Sequence, residues 1–267
     1  WRKTLEENVA IAYFDQRGLN KPIKKIDTAK ITPSQVCADI IAIARKLKEK
    51  YQAKIYLLGH SNGGVAVLSC MASFPNETTI FEGAIVLNTP ITNDFSPERL
   101  TYYRPLFLKN LASDFIAKNE NTTFWTEALN WMAVTDSISK VEDSKKWNFY
   151  VNHAFSPTKR KITLGMLLKV LFAKPYNPIT YFNRNDENFI GDKLRSGRKT
   201  LNLWELLPGI HKPVLLLTGR YDPVATIEEQ KDAQKLLPNS QLIILSNCDH
   251  ESFLDQPKLV NKAIFTF

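Results

Sequence analysis

Short apolar runs alternate with helix-forming segments along the first third of this 267-residue chain. Residues 9–14, 54–58 and 84–87 have the continuous apolar character of strands that are buried on both faces of a sheet. Helices are predicted between them, at residues 33–52 and 65–72, where apolar residues recur three and four positions apart. This strand–helix–strand–helix–strand order predicts an α/β fold with a mainly parallel sheet and right-handed crossovers.

The pattern changes in the middle of the chain, where strand signals vanish and aromatic residues accumulate. The strand and helix signals then return, with strands at 213–218 and 241–245 and helices at 227–237 and from about Gln256. We therefore predict a core made of residues 1–91 and 205–267, with a mostly helical cap inserted between them over residues 92–204.

The predicted cap contains two kinds of apolar feature. Trp125, Trp131 and Trp147 are expected to pack inside it, with the lining of an apolar substrate pocket as the alternative. Residues 162–173 are strongly apolar and have lysine and arginine on both sides. They are expected to belong to the core of the cap, or else to form a lid helix that meets lipid or an acyl chain.

Composition argues against several classes of partner. The net charge is +8, but the lysines are dispersed and no nucleic-acid-binding motif is present. Cys37, Cys70 and Cys248 are widely spaced and form neither a metal-binding pair nor a disulfide framework; the first two are expected in the core. No apolar run approaches the roughly 18 residues of a membrane span. We expect no nucleic-acid partner, no metal and no stable membrane insertion, while the compartment and the oligomeric state are left open.

The segment Gly59-His60-Ser61-Asn62-Gly63 fits the pattern G-x-S-x-G, and it lies between a predicted strand and a predicted helix. This context is typical of a sharp turn that holds a nucleophilic serine in a strained conformation with its hydroxyl exposed. Small residues on either side, here Gly59 and Gly63, let the backbone segments pass closely. The turn predicts Ser61 as the nucleophile and the backbone N–H of Asn62 as a donor to a developing oxyanion.

A serine hydroxyl becomes a good nucleophile only when a base takes its proton, and the base needs an orienting carboxylate. Of the four histidines, His60 lies inside the turn, His153 in the predicted cap and His211 in a loop before a strand. His250 follows the last predicted strand, at the edge where open α/β sheets bind their ligands. It is therefore the predicted base.

The predicted acid is Asp222, which directly follows the strand at 213–218 and gives the chain order Ser, Asp, His. Asp249, beside His250 in the sequence, is a weaker candidate because a neighbouring carboxylate usually points elsewhere. Asp94, which follows the strand ending at Leu87, is a second alternative.

Several of these segments resemble the α/β-hydrolase family. The similar elements are Tyr13-Phe14-Asp15-Gln16-Arg17-Gly18, the Gly-His-Ser-Asn-Gly-Gly turn, the stretch from Leu217 to Pro223, and Asp249-His250. The Asp-Gln-Arg-Gly element is most similar to the prolyl-aminopeptidase branch. The resemblance implies an acyl-enzyme mechanism on an ester or amide without a cofactor. It also implies that Asp15 and Arg17 brace the loop beside the serine.

Two departures from the family bear on activity. A second oxyanion donor comes in the family from a glycine-rich loop, which we expect upstream of Trp1 together with the first strands of the sheet. Prolyl aminopeptidases also use cap glutamates to hold the substrate's amino group, and a position of this kind is occupied here by Val151.

The sequence thus predicts a serine hydrolase that acts on a small ester or a short peptide. An aminopeptidase of the prolyl-aminopeptidase-like type and a carboxylesterase or lipase-like enzyme are the competing activities. A catalytically silent binding protein on the same fold is the alternative from another functional class.

Overall fold

Four parallel strands form one sheet in the order β1-β2-β3-β4. They appear in a computed structural model that describes residues 2–17, 27–92, 96–154, 186–197 and 201–267. The strands are β1 (Ile55–His60), β2 (Phe81–Leu87), β3 (Val214–Gly219) and β4 (Ser240–Leu245). Each coincides with a predicted strand to within three residues at either end, and the predicted parallel α/β architecture is confirmed.

Helices fill most of the remaining described chain. The α-helices are α1 (Arg2–Glu6), α2 (Pro33–Tyr51), α3 (Asn62–Ser73), α4 (Arg104–Ala117), α5 (Thr122–Ala133), α6 (Val141–Ala154), α7 (Asp186–Gly197), α8 (Leu203–Leu206), α9 (Ile227–Leu236), α10 (Ser252–Asp255) and α11 (Pro257–Thr266). Short 3₁₀ helices occur at Thr28–Lys30, Glu77–Ile80 and Leu207–Gly209, and a π-helix at Arg99–Tyr103 leads into α4.

The predicted start and end of α2 are confirmed by its caps. The hydroxyl of Thr32 accepts a hydrogen bond from the backbone N–H of Gln35 at 3.1 Å, so it satisfies one of the donors that the first helical turn leaves free. Gln52 ends the helix in a left-handed conformation, with φ of 52°.

The sheet is covered by helices on both faces. Ala84 and Val86 of β2 pack into an apolar cluster with residues of α2 and α3, whereas the alternate residues Ile85 and Leu87 pack against α11. Since successive side chains of a strand point to opposite faces, α2 and α3 lie on one side and α11 on the other. Because both faces of the sheet are covered by apolar packing, polar residues that act on a ligand are expected at the ends of its strands.

A separate apolar cluster is formed by α4, α5 and α6. Trp125 and Trp147 are buried in it and Trp131 packs against it, so the expected packing of these three tryptophans is confirmed. The described part of residues 92–204 contains helices and no strand, although the division into core and cap stays a prediction. The apolar stretch at 162–173 lies outside the described residues.

The prediction of a buried strand at residues 9–14 is wrong. The segment has no strand assignment, and Val9, Tyr13 and Phe14 are 47%, 61% and 46% exposed. An apolar run becomes a strand only when neighbouring backbone accepts its hydrogen bonds. In the described residues, β1 pairs only with β2, and no strand pairs with this segment.

Candidate active site

Ser61 lies between the last residue of β1 and the first residue of α3. Its φ and ψ are 52° and −121°, a combination that non-glycine residues rarely adopt. Its backbone N–H donates to the carbonyl of Leu87 at 2.9 Å, which anchors the turn to the end of β2. The predicted strained strand-to-helix turn is confirmed.

Close approach explains two glycines around the turn. A Cβ added at Gly59 would lie 2.5 Å from the backbone carbon of Gly63, and one added at Gly64 would lie 1.8 Å from Oγ1 of Thr89. A Cβ at Gly63 would meet nothing within 4 Å. The expected steric need is therefore correct for Gly59 and wrong for Gly63. The residue that has no room for a side chain is instead Gly64. The two consecutive glycines at positions 63 and 64 of the sequence could have indicated this requirement.

The three residues predicted to act together are brought into one hydrogen-bonded chain. Oγ of Ser61 lies 2.9 Å from Nε2 of His250. Nδ1 of His250 lies 3.1 Å from each carboxylate oxygen of Asp222. Strands β1, β3 and β4 each end just before one of these residues, so the parallel sheet itself gathers them at one edge.

The Asp222 carboxylate is fully buried, and its surroundings compensate its charge. Oδ1 accepts from the backbone N–H groups of Val224 and Ala225 at 2.8 and 3.0 Å. Oδ2 accepts from the side-chain amide of Asn88 at 2.8 Å. A buried anion is tolerated where several donors replace its lost water, and these donors also fix the direction in which the carboxylate faces His250.

Two opposing effects act on His250. Burial by itself lowers the pKa of the imidazole, because it disfavours the cation. The hydrogen bond and the negative charge of Asp222, with smaller contributions from Glu251 and Asp249, outweigh burial and raise the pKa above its ordinary value. The site thus favours protonation of His250, as a base that must receive a proton from Ser61 requires.

The sequence did not single out Asn88 and Ser252. The side-chain amide of Asn88 donates to Asp222 and also, at 3.0 Å, to the backbone carbonyl of Asp249. Its oxygen accepts a hydrogen bond from the hydroxyl of Ser252. Ser252 stands two residues after His250 in the sequence, which is the only local signal that could have indicated it.

A buried ion pair braces the loop that carries Asp222. Arg99 lies 3.7 Å from a carboxylate oxygen of Glu229 and donates to the backbone carbonyl of Val224. Burial raises the pKa of Glu229, and the charge of Arg99 and hydrogen bonds from the segment after β2 oppose this rise. Sequence reasoning missed this pair because its members lie in distant parts of the chain.

Of the other three histidines, His60 and His153 hydrogen-bond to groups other than the serine hydroxyl, and His211 is exposed. Nε2 of His60 donates to the backbone carbonyl of His250 at 2.9 Å, and its ring packs edge-on against Phe253. His153 bonds with Asn121 near the end of α6. His211 is exposed in the loop before β3.

Of the two alternative acids, Asp249 lies in the described residues. The carboxylate of Asp249 accepts a hydrogen bond from the backbone N–H of Glu251 at 2.9 Å and so faces its own loop. Asp94 lies outside the described residues.

Asn62, the predicted oxyanion donor, is the first residue of α3. Its backbone N–H therefore belongs to the positive end of that helix, directly after the serine. The role of this group stays a prediction.

The loop at residues 15–17 is tied to α2. The guanidinium of Arg17 forms a two-point hydrogen bond with the carboxylate of Asp39, at 2.8 and 2.5 Å. This contact holds the pKa of Asp39 below its usual value. It is consistent with the bracing role implied for Arg17, whereas Asp15 is exposed.

The described residues contain no cluster of ligating side chains that could hold a metal ion. Cys37, Cys70 and Cys248 are all buried and free, and the expected core positions of the first two are confirmed. None of the helices in the described residues has the length and apolar character needed to cross a bilayer.

A parallel sheet that carries a serine at a strand-to-helix turn, with an aspartate and a histidine after later strands, is the arrangement of α/β-fold hydrolases. A model of the alpha/beta hydrolase fold family matches residues 9–257, and the chain belongs to that family. The prolyl-aminopeptidase-like branch stays a prediction. A sequence search of curated proteins finds no match.

Solved structures of similar fold have low sequence identity to this chain. A thermophilic esterase from Thermogutta terrifontis is 18% identical, with a TM-score of 0.53 over 94% of this chain and 76% of that one. A membrane phospholipase A, described as a bacterial virulence factor, is 16% identical, with a TM-score of 0.56 over 94% and 67%. VinJ is 16% identical, with a TM-score of 0.54 over 95% and 78%. These likenesses show the fold alone.

Proposed function

We propose that this protein is a serine hydrolase that cleaves acyl substrates through an acyl-enzyme intermediate. The observation that carries the proposal is the continuous chain of hydrogen bonds from Ser61 through His250 to Asp222. A serine beside a buried structural histidine would not require a carboxylate aligned behind the imidazole. Nucleophilic catalysis requires that alignment, because the carboxylate orients the imidazole and stabilises its cation.

In this proposal Oγ of Ser61 attacks the acyl carbonyl carbon while Nε2 of His250 takes the hydroxyl proton. The negative charge that develops on the carbonyl oxygen is stabilised by the backbone N–H of Asn62. His250 then gives its proton to the departing alcohol or amine, and the acyl group stays on Ser61. Water attacks the acyl-enzyme with His250 again as the base, which releases the acid and restores the serine.

Between the two competing activities, the residue at position 151 favours ester hydrolysis. Val151 is 4% exposed and packs within the apolar cluster of α4, α5 and α6. This position therefore brings no carboxylate to a substrate's amino group, which an aminopeptidase needs for recognition. We propose a carboxylesterase as the first activity and an aminopeptidase as the second.

Labelling with a fluorophosphonate probe tests the mechanism, because such probes react with an activated serine. We expect the wild type to be labelled and Ser61→Ala to be unlabelled. Ser69→Ala is the matched control, since Ser69 is a buried serine of α3 whose hydroxyl bonds to Val65 within its own helix. An unlabelled wild type would favour the silent binding protein instead, and a labelled Ser61→Ala would place the reactive nucleophile at another residue.

Substrate assays separate the two activities. Nitrophenyl esters of increasing acyl length and a prolyl anilide should be offered to the wild type and to Ser61→Ala. Hydrolysis of the esters alone supports the esterase, and hydrolysis of the anilide alone supports the aminopeptidase. Hydrolysis of neither substrate would reject both activities.

A further inference from the structure

We propose that Asn88 is a positioning residue that fixes the acid and the base relative to each other. This inference rests on the proposed serine-hydrolase function. Asn88 follows β2 directly, and β2 lies between the strands that lead to Ser61 and to Asp222. The residue is therefore at the centre of the strand ends, where the three site residues meet.

The backbone of Asn88 is held in an unusual conformation. Its φ is 49°, its side chain is fully buried, and its N–H donates to the carbonyl of Leu217 at 2.7 Å. Asparagine tolerates a positive φ better than most residues, but a buried position of this kind persists only when surrounding contacts hold it. The conformation aims the side-chain amide at the loops after β3 and β4.

Both the nitrogen and the oxygen of the Asn88 side-chain amide have hydrogen-bond partners. Its two N–H hydrogens go to Oδ2 of Asp222 and to the carbonyl of Asp249, and its oxygen accepts from the hydroxyl of Ser252. Both acceptors face the nitrogen and the only donor faces the oxygen, so the orientation of the amide follows from its partners. One side chain thereby joins the acid to the residues on both sides of His250.

The chemistry of the site favours an amide at this position. A neutral donor stabilises the Asp222 carboxylate without adding charge beside His250. An apolar residue would leave Asp222 and the Asp249 carbonyl each with a missing donor. A carboxyl group would lie at about the present 2.8 Å from Oδ2 of Asp222, and the two groups would have to share one proton, so Asp222 would no longer present its full charge to His250.

Asn88→Ala tests the positioning role through the kinetic parameters. We expect kcat for ester hydrolysis to fall by about 10- to 100-fold, the usual effect of losing a hydrogen bond to a charged group. KM should change by less than about 3-fold, because Asn88 touches the acid and not the substrate. A loss that appears in KM alone would contradict positioning.

Asn88→Asp gives a readout that a merely structural role would not move. Two carboxyl groups at hydrogen-bond distance in a buried site cannot both ionise near neutral pH, so they share one proton and one negative charge. Part of the charge that faces His250 in the wild type would then lie on the new, more distant carboxyl group. The pKa of His250 should therefore fall, which NMR can follow because the chain has only four histidines. The acidic limb of kcat/KM should move to lower pH in parallel.

The matched control is Asn261→Asp, since Asn261 of α11 is the other buried asparagine in the described residues. The inference is supported if Asn88→Asp shifts the His250 titration and Asn261→Asp does not. It is overturned if neither variant shifts the titration, or if both shift it equally. The NMR result does not depend on turnover, so a wild type that fails to react with the fluorophosphonate probe would reject the hydrolase function separately.

Ser252→Ala covers the case in which the Asn88 variants fail to fold. This change removes the hydroxyl that bonds to the amide oxygen of Asn88 and keeps the amide itself. We expect kcat to fall by roughly 3- to 10-fold, while Ser69→Ala, which removes a buried hydroxyl of α3, stays within about 2-fold of wild type. Equal kcat values for the two serine variants would contradict the inference.

Discussion

The nucleophile is held by backbone geometry, whereas the acid and the base are held by side-chain hydrogen bonds. Ser61 is fixed by its positive φ, by its N–H bond to Leu87 and by the close backbone approach at Gly59. Asp222 is held by two backbone N–H groups and by the amide of Asn88.

This difference separates two kinds of failure. On the serine side, an added methyl group has no room at Gly59 or Gly64, so substitutions there should damage folding before they damage chemistry. On the acid side, an isosteric change keeps the shape and removes the charge, so substitutions should damage the rate and leave the fold in place.

The largest effect is expected for Asp222→Asn. The amide preserves the shape of the carboxylate but no longer stabilises the imidazolium, and kcat should fall by about 10⁴-fold, as in other triads. The midpoint of urea unfolding should change little by comparison. Steady-state kinetics and urea titration of the same preparation measure both quantities.

Asp249→Asn is the control for this prediction. Its carboxylate lies next to His250 in the sequence but accepts from the N–H of Glu251 within its own loop. We expect kcat to stay within about 10-fold of wild type, as for the loss of one neutral hydrogen bond. A 10⁴-fold loss in this variant would make Asp249 the acid instead.

On the serine side, Gly64→Ala and Gly63→Ala should differ in sign. The new methyl group at position 64 would lie 1.8 Å from Oγ1 of Thr89, and overpacking of this kind costs about 1–3 kcal/mol in the free energy of unfolding. At position 63 the methyl group meets nothing within 4 Å. There alanine should stabilise α3 by up to about 1 kcal/mol, because it is the better helix former. Equal destabilisation in urea unfolding would show that the contact with Thr89 does not matter.

The sequence predicts the parts of this molecule that depend on neighbours in the chain. The caps of α2 and the turn at Ser61 are set by residues within a few positions of each other. The meeting of Asp222 and His250 follows from strand order, because parallel strands end at one edge of the sheet.

Features that depend on distant contacts could not be predicted. Residues 9–14 and the strand β3 have similar apolar character, yet only β3 has strands on both sides. The amide of Asn88 lies 134 residues from Asp222 in the sequence, and the contact of Gly64 with Thr89 depends on how α3 packs on the end of β2. Local patterns carry no information about such pairings.

A smaller effect is expected from pH. Activity needs neutral His250, and its pKa is raised above the ordinary value of about 6.5, so the acidic limb of kcat/KM should have its midpoint above about pH 6.5. Protonation of His250 also contributes to the free energy of unfolding, and this contribution has the opposite pH dependence to activity. It should be fully present below about pH 6.5 and be lost as pH rises through the raised pKa. A limb with its midpoint below the ordinary histidine value would contradict the dominance of Asp222 over burial.

The smallest effect is expected where the two sides of the site meet, at His60. Its side chain belongs to the serine turn, but its Nε2–H donates to the carbonyl of His250 at 2.9 Å. His60→Phe keeps a ring against Phe253 and removes this hydrogen bond, so kcat should fall by about 3- to 10-fold, the effect of one neutral hydrogen bond. His211→Phe, in an exposed loop, is the control and should leave kcat unchanged.

If His60→Phe also leaves kcat unchanged, the serine side and the acid–base side are held independently. A loss above about 100-fold would instead make the histidine contact as important as the hydrogen bonds to Asp222.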